Sequence, residues 1–215
     1  MQTTIIYDLD GTLVDSASTV ASILNDMRIE RKMAPLPVTA YKPWLSIGGN
    51  AMIANAFGLD EEAVEVNELL STFRSRYLTL DTDLKTIYPN VRATLEKLCN
   101  LGVKLGLCTN KPRLLTDKVL RETGLDSYFS VVCAGNDLKT RKPHPENLQF
   151  CLAALDSRAN ETIMVGDSRV DQALAEACGT TFTFFRGGYD DGVILSENIY
   201  QIDDHCEIFD QLKHS

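Results

Sequence analysis

The sequence lacks the features of a membrane protein. It has no run of about 18 apolar residues, and its N-terminal segment has neither a basic cluster nor an apolar stretch long enough for a signal peptide. We therefore expect a cytoplasmic protein that binds no membrane. Positive charge is also scarce, because 21 Lys and Arg residues face 30 Asp and Glu residues and the formal net charge is -9. Such a chain repels a phosphate backbone at long range, so we expect no nucleic-acid partner.

Cysteines are few and widely spaced, and no Cys-x-x-Cys pair indicates a structural zinc site or a redox motif. A chain of 215 residues, of which 44% are hydrophobic, is large enough to bury a core without disulfide bonds. We therefore expect the cysteines to be reduced residues of the core. They are Cys99, Cys108, Cys133, Cys151, Cys178 and Cys206.

Short β-branched apolar segments alternate with segments of helical period along most of the chain. This alternation predicts an α/β fold, a doubly wound parallel sheet with helices on both faces. Gly102, Gly124 and Gly179 follow three of the helical segments, where glycine commonly ends a helix. The predicted strands are residues 3–7, 104–108, 130–134, 162–165 and 181–185.

The stretch from residue 16 to residue 82 interrupts this alternation. It has helical periodicities but no convincing strand, and it is too long for a plain crossover. We predict an all-helical cap domain at residues 16–82, inserted into an α/β core domain at residues 1–15 and 83–215. The segments around Asp15 and at residues 81–86 are predicted to be two hinge strands. The apolar stripes are Val20, Ile23, Leu24 and Met27; Met52, Ile53, Ala56 and Phe57; and Val66, Leu69, Leu70, Phe73 and Tyr77.

Polar residues follow four of the predicted strands. Ligands bind beyond the carboxyl ends of the strands in an open parallel sheet, so these residues should meet at one edge. Taken singly, each segment also fits a turn, a helix N-cap or, for Lys142, a solvated side chain. The segments are Asp8-Leu9-Asp10-Gly11-Thr12, Thr109-Asn110-Lys111-Pro112, Arg141-Lys142-Pro143 and Gly166-Asp167-Ser168-x-x-Asp171.

The aspartates of these segments predict a cation site. Clustering Asp8, Asp10, Asp167 and Asp171 at one edge costs repulsion unless a cation is bound there. Oxygen ligands without a Cys or His cluster select a hard ion, and carboxylates that leave room for water and phosphate suit Mg²⁺. A carboxylate is ionised at neutral pH and can attack phosphorus without a separate base, so Asp8 is the candidate nucleophile.

In-line phosphoryl transfer also needs a proton for the leaving oxygen and positive charge around the equatorial oxygens. Asp10 is the candidate for this proton transfer and for the later deprotonation of the attacking water. Lys142, the Thr109 hydroxyl, the amide of Asn110 and the cation are the candidates for the positive charge. The same residues would bind the phosphoryl group of a substrate.

The four segments resemble, in their order, the motifs of the haloacid dehalogenase superfamily of phosphohydrolases: DLDGT, TN, KP and GDxxxD. The helical insert resembles the cap of the small-substrate subclass. The resemblance implies that Asp8 forms an aspartyl-phosphate and that Asp10 is the general acid/base. It also implies that Asp8, the Asp10 carbonyl and Asp167 bind Mg²⁺, with Asp171 as a ligand through water or an orienting group. Dehalogenases lack the second carboxylate, so Asp10 argues against that chemistry.

Residues 41–49, YKPWLSIGG, are similar to the cap loop of phosphoglycolate phosphatases. Gly48 and Gly49 would let the cap backbone approach a ligand, and amide groups at a helix start favour a second anionic group such as a carboxylate. The same glycines also fit a turn that opens a helix and has no ligand role. On the first interpretation, the substrate is a short phosphorylated acid or sugar.

Other candidates carry weaker signals. His144 fits a loop histidine beside a helix start, and His205 and His214 are expected to be solvated in the polar C-terminal stretch. The segment Arg186-Gly187-Gly188-Tyr189 follows the last predicted strand and either borders the site or forms a tight turn.

The leading hypothesis is a Mg²⁺-dependent hydrolase of small phosphomonoesters, whose partner is a small phosphorylated metabolite. Two alternatives stay open. One is a phosphosugar mutase of the same family, in which the phosphoenzyme waits for a sugar instead of reacting with water. The other is a catalytically silent protein that binds a phosphometabolite. The intact acidic motifs favour an enzyme, and the sequence does not predict the oligomeric state.

Overall fold

The computed structural model describes residues 4–197 and 199–213. Within them, six strands form one parallel sheet in the order β3-β2-β1-β4-β5-β6. The chain therefore builds outward from β1 in one direction and then in the other, and ligands of such sheets bind where the direction reverses. The strands are β1 (Thr4–Tyr7), β2 (Lys104–Cys108), β3 (Val131–Cys133), β4 (Thr162–Gly166), β5 (Thr181–Phe185) and β6 (Tyr200–Ile202).

Helices cover both faces of the sheet, which confirms the predicted doubly wound α/β fold. Ile5 and Tyr7 of β1 belong to one hydrophobic cluster, whereas Ile6 belongs to a second cluster on the opposite face. A strand that is buried on both faces reads as a continuous apolar run, so these strands were predictable. The helices of the core are α5 (Val91–Asn100), α6 (Arg113–Thr123), α7 (Glu146–Ala154), α8 (Arg169–Cys178) and α9 (Ile208–Lys213).

The strand register brings the polar segments to one level. Tyr7 is paired with Leu107 of β2 and with Val165 of β4. The residues that follow these three partners therefore leave the sheet side by side, at its C-terminal edge. Gly124 and Gly179 end α6 and α8 in the left-handed conformation, as predicted. In the part of the chain that the structure describes, none of the helices combines the length and apolarity needed to cross a bilayer. The cytoplasmic location stays a prediction.

Four helices lie between β1 and α5, and no strand is found among residues 16–82, all of which are described. The first cluster of the core continues into their apolar faces. The division into two domains at residues 15 and 83 stays a prediction. The helices are α1 (Ala17–Glu30), α2 (Val38–Leu45), α3 (Gly49–Phe57) and α4 (Val64–Thr79).

The predicted hinge strands are wrong. The two connections run next to each other, but they share only an isolated bridge between Val14 and Ile87. The carboxylate of Asp83 accepts a hydrogen bond from the Lys85 N–H at 2.9 Å and so caps a short 3-10 helix, Leu84–Thr86. This turn takes the second connection out of the extended conformation that a strand needs.

The cysteines are all reduced, as expected, but only half of them are buried. Cys108, Cys133 and Cys151 belong to the core. Cys99 and Cys206 are exposed, because one lies near the end of α5 and the other in a short 3-10 helix at the surface. The expectation that every cysteine is a core residue is therefore wrong.

His205 is not solvated, so that prediction is wrong too; His214 lies outside the described residues. The His205 ring is 1% exposed, and its centroid lies 4.5 Å from that of Phe185. Its Nε2 lies 2.8 Å from the carbonyl oxygen of Thr12. Burial lowers the pKa of His205 from its usual 6.5 to about 4. The neutral imidazole is thus the form that the fold accommodates.

Acidification should therefore destabilise the fold through His205. The unfolded chain binds this proton at a higher pH than the folded chain, so the stability is complete above pH 6.5 and is lost as the pH falls toward 4. Between about pH 7.5 and about pH 5 we expect the free energy of unfolding to fall by about 2 kcal/mol more in the wild type than in His205→Gln. Urea unfolding of both proteins at both pH values measures the difference, in which other titrating groups cancel. An identical pH dependence would contradict this account.

Candidate active site

Lys142 forms the centre of the site. Its Nζ lies 2.8 Å from Oδ1 of Asp8 and 2.7 Å from Oδ1 of Asp171. Asp8 follows β1 directly, and its N–H donates to the carbonyl of Val165 at 3.0 Å. Lys142 is buried, so it is not the solvated lysine of the alternative interpretation. Although burial alone lowers the pKa of Lys142, attraction to Asp171 and Asp8 raises it above its usual value. The ammonium is therefore charged.

Three buried carboxylates cluster at this point, and two of them contact the ammonium. One oxygen from each of Asp8, Asp167 and Asp171 lies within 4.8 Å of the others. Burial, opposed by Lys142 and reinforced by Asp171, raises the pKa of Asp8 to about 7. Burial and then repulsion from Asp171 and Asp8 raise the pKa of Asp167 well above its usual value. Negative charge in this cluster is therefore only partly compensated by the protein.

The donor set fits a hard divalent cation. It consists of carboxylate oxygens without nitrogen or sulfur, which is the preference of Mg²⁺. Oδ1 of Asp8 is paired with the Lys142 ammonium but accepts no hydrogen bond of good geometry, so it remains available as a ligand. Asp8, Asp167 and Asp171 would hold the cation, and the predicted contribution of the Asp10 carbonyl stays a prediction.

The loop after β1 holds Asp167 in place. Oγ1 of Thr12 donates to Oδ1 of Asp167 at 2.8 Å, and the N–H of Tyr189 donates to its Oδ2 at 2.7 Å. Gly11 has a φ of +83°, and a β carbon there would lie 2.1 Å from Oδ2 of Asp167. Only glycine fits so close to the carboxylate. The segment from Arg186 to Tyr189 therefore borders the site, which was one of its two interpretations.

Asp171 is fixed by the helix that carries it. Ser168 is the N-cap of α8, and its Oγ accepts a hydrogen bond from the Asp171 N–H at 3.2 Å. The same hydroxyl donates to Oδ2 of Asp171 at 2.5 Å. The N-cap interpretation of Ser168 is thus correct, and the role of Asp171 in the acidic motif stays a prediction.

Asp10 lies apart from the three clustered carboxylates. Nζ of Lys111 lies 3.0 and 3.1 Å from its two oxygens, and Oγ of Ser16 donates to it at 2.6 Å. Lys111 also lies 4.6 Å from the ring centroid of Tyr77 on α4. Lys111 belongs to the polar segment after β2, but the sequence did not predict a role for it. The available signal was its position two residues after Thr109, which places it at the same sheet edge.

Thr109 and Asn110 follow β2, and their side chains differ in how many hydrogen bonds they already make within the protein. Thr109 is buried at the strand end, and its Oγ1 accepts the N–H of Lys111 at 3.2 Å. The Asn110 side chain donates to the carbonyls of Lys142 at 3.1 Å and of Ser46 at 2.9 Å, and accepts the Lys142 N–H at 2.9 Å. It therefore positions the Lys142 loop and the cap. Contact of either residue with a phosphoryl group stays a prediction.

A cavity of about 50 Å³ lies between the helical insert and the strand ends, beside Asp10. Gly48 and Gly49 line it, and α3 begins at Gly49, so both of their interpretations remain compatible with the structure. A β carbon on Gly49 would lie 2.9 Å from Cδ1 of Leu70, so this glycine also serves the packing of α3 on α4. The other lining residues are Val20, Leu45, Met52, Leu70, Phe73, Arg74, Asn110, Lys111, Pro112 and Leu115.

Mg²⁺ should stabilise the fold because it relieves the repulsion in the carboxylate cluster. At a concentration of about 100 times its dissociation constant, binding contributes about 2.7 kcal/mol, which raises the melting temperature by about 5–10 °C. Thermal unfolding at about pH 8, where Asp8 is ionised, with Mg²⁺ or with a chelator measures the shift. Asp167→Asn should lose this gain and, in chelator, should be at least as stable as the wild type. An unchanged wild-type melting temperature would refute the cation site.

Known proteins resemble this chain along nearly its whole length. The haloacid dehalogenase-like hydrolase family matches residues 5–185. A phosphoglycolate phosphatase of Pectobacterium atrosepticum is 31% identical over 214 residues, 97% of this chain and 92% of that protein, and one of Yersinia pestis is 34% identical over 196 residues, 89% and 84%. A crystal structure described as a predicted phosphoglycolate phosphatase from Haemophilus somnus 129pt matches with a TM-score of 0.87 at 25% identity, covering 98% of this chain and 97% of that one. The chain belongs to the haloacid dehalogenase-like hydrolases, as its motifs predicted, and is an enzyme of the phosphoric monoester hydrolase class.

Proposed function

We propose that the chain hydrolyses a small phosphomonoester through an aspartyl-phosphate on Asp8, with Mg²⁺ as its cation. The observation that carries this proposal is the different surroundings of two carboxylates in one loop. Asp8 contacts Lys142 inside the buried cluster, whereas Asp10 contacts Lys111 and Ser16 outside it. This difference supports a nucleophilic role for Asp8 and a separate proton-transfer role for Asp10, because different surroundings let paired carboxylates divide their roles in catalysis.

In the first step, an oxygen of Asp8 attacks phosphorus while the bond from phosphorus to the ester oxygen breaks. Lys142 pairs with Asp8 in the free enzyme, and in the proposed step it and Thr109 contact the equatorial phosphoryl oxygens. Mg²⁺ bound by Asp8, Asp167 and Asp171 would neutralise the negative charge that develops on the phosphoryl group. The product of this step is the aspartyl-phosphate and a free alcohol.

Asp10 moves the protons of both steps. It gives a proton to the departing ester oxygen and then takes one from the water that attacks the phosphorus of the aspartyl-phosphate. That second attack restores the Asp8 carboxylate and releases inorganic phosphate. Lys111 and Ser16 hold the Asp10 carboxyl group in place for both transfers.

The leaving group should carry a second negative charge. The cavity beside Asp10 is lined by Arg74, for which the described part of the chain provides no ion pair or hydrogen bond. The neighbouring cap arginines Arg31 and Arg76 are paired with Glu65 and Glu30. Arg74 is exposed at the edge of this cavity, where an unpaired guanidinium can bind a carboxylate or a second phosphate. The volume and this charge favour a short phosphorylated acid, and relatives named phosphoglycolate phosphatases support that class.

The two aspartates should fail in different ways. Asp8→Asn should release no phosphate from any monoester, because the amide is not a nucleophile, and its melting curve should stay cooperative. Asp10→Asn should be slower by about 10²–10⁴-fold because it cannot exchange a proton. With an aryl phosphate, whose leaving group needs no proton, Asp10→Asn should accumulate one phosphoryl group, which intact-protein mass spectrometry detects.

The double variant Asp8→Asn/Asp10→Asn is the matched control, since it should show no added mass. A phosphoryl group on the double variant would place the nucleophile elsewhere in the chain. Rapid multiple turnover by Asp10→Asn would exclude Asp10 as the acid/base. It would not change the assignment of Asp8 as the nucleophile.

Arg74→Met should change substrate selectivity. Methionine keeps an unbranched side chain but lacks the charge, and a hydrogen bond to a charged group contributes about 1.5–3 kcal/mol, or about 10–100-fold. We expect kcat/KM for 2-phosphoglycolate to fall by that factor, while kcat/KM for p-nitrophenyl phosphate stays within about twofold. Steady-state kinetics with both substrates measure the ratio.

Arg76→Met provides the matched control, because Arg76 lies on the same helix but is paired with Glu30 and does not line the cavity. It should leave the ratio unchanged. Equal losses for both substrates in Arg74→Met, or the same change of ratio in Arg76→Met, would exclude Arg74 as the group that recognises the second charge.

A further inference from the structure

Three thiols meet in the core below the active-site edge. Cys108 ends β2 and is paired in register with Cys133, which ends β3, so their side chains share one face of the sheet. Cys151 lies on α7, which packs on that face. All three residues are buried, and their Sγ atoms lie within 4.8 Å of one another. The proposed phosphatase mechanism uses none of these thiols.

We propose that Cys108, Cys133 and Cys151 bind one soft monovalent cation of the Cu⁺ class in a three-coordinate sulfur site. Three equal bonds of about 2.3 Å, the usual length from zinc to cysteine sulfur, place the sulfur atoms about 4.0 Å apart. The thiols already lie within 4.8 Å of one another, so less than about 1 Å of contraction forms the site. The two strands fix the positions of two ligands before any ion binds.

The composition of the cluster selects the ion. Thiolates prefer soft cations, and no carboxylate or imidazole of the described residues joins the three sulfur atoms. Structural zinc sites and iron–sulfur clusters take four protein ligands, which this cluster does not provide. The hydrophobic residues around it, such as Ile6, Leu148 and Met164, offer no oxygen or nitrogen side-chain ligand. These conditions favour a three-coordinate soft cation over zinc or an iron–sulfur cluster.

The surroundings favour the thiolate form at Cys133, whereas contact with Cys133 and burial raise the pKa of the Cys108 and Cys151 thiols, which lose their protons only when the ion binds. Nδ2 of Asn147 donates to Sγ of Cys133 at 3.6 Å. Hydrogen bonds from Cys108, then Cys151 and Asn147, lower the pKa of Cys133. Each thiol that becomes a ligand releases its proton to solvent when the ion binds. The positive charge of Lys142 acts in the direction that lowers the pKa of Cys108 and so partly offsets negative charge on the sulfur atoms.

The cluster is connected directly to the phosphate-binding edge. Cys108 is followed by Thr109, whose N–H donates to the carbonyl of Cys133 at 2.9 Å. A contraction of the sulfur atoms would therefore act on the strand end that carries Thr109. Binding of an ion to the three thiols requires none of the proposed catalytic roles, and its test needs no substrate.

An anaerobic titration tests the proposal. The reduced protein is incubated to equilibrium with a coloured Cu⁺–bicinchoninate complex, whose absorbance falls as the protein removes Cu⁺. We expect one equivalent per chain in the wild type, and X-ray absorption of that sample should show three sulfur neighbours and no nitrogen or oxygen neighbour. Cys151→Ala should lose this one-to-one uptake, with its fold checked by thermal unfolding.

The matched control is Cys99→Ser/Cys206→Ser, which removes the two exposed thiols and keeps the buried three. It should bind one equivalent as the wild type does. Loss of uptake in this control, or retention of the one-to-one uptake in Cys151→Ala, would overturn the proposal. So would wild-type Cu⁺ with fewer than three sulfur neighbours, a measurement that does not depend on any variant folding.

Discussion

Two buried carboxylates, Asp8 and Asp171, share one ammonium at the carboxyl edge of the sheet with a third, Asp167, beside them, and the rest of the site depends on this electrostatic constraint. Asp8, Asp171 and Lys142 come from segments that follow three different strands. Nζ of Lys142 lies 2.8 Å from an oxygen of Asp8 and 2.7 Å from an oxygen of Asp171. Removing them from water costs free energy that one ammonium cannot offset for three carboxylates. The strand order, which places β1 between β2 and β4, is what forces these charges together. The same order concentrates negative charge at a place that could hold a cation.

The backbone around Asp167 is shaped by how closely it approaches that residue. A β carbon on Gly188 would lie 2.3 Å from the Gly11 carbonyl oxygen and from Cβ of Asp167, and Gly11 allows no side chain on the other side. Two loops from distant parts of the sequence are therefore pressed against one carboxylate. This contact lets Thr12 and Tyr189 donate to both of its oxygens. These two positions require glycine because the backbone packs directly against the Asp167 side chain, and not because the loops need flexibility.

The sequence predicted best what depends on local pattern. The strands are continuous apolar runs because they are buried on both faces, and the acidic residues follow strand ends that a parallel sheet brings together. It predicted poorly what depends on distant partners. His205 is buried because Phe185 and Thr12 approach it from other elements, and Lys111 gains its role from Asp10, which lies 101 positions away. Strand β6 was missed because Gln201 lies between its two apolar residues, whereas the equally short β3 is an uninterrupted apolar run.

Lys111 shows how the helical insert can influence the chemistry through electrostatics as well as shape. Its ammonium contacts the Asp10 carboxylate of the core on one side and the Tyr77 ring of α4 on the other. The ion pair is strong only while the helices exclude water, because the Coulomb energy falls steeply as the local dielectric constant rises. If the insert moved away from the strand ends, the same motion would remove the ring, admit water and weaken the hold on Asp10. Enclosure of the site by the insert and the orientation of the proposed acid/base would thus be coupled through one buried lysine.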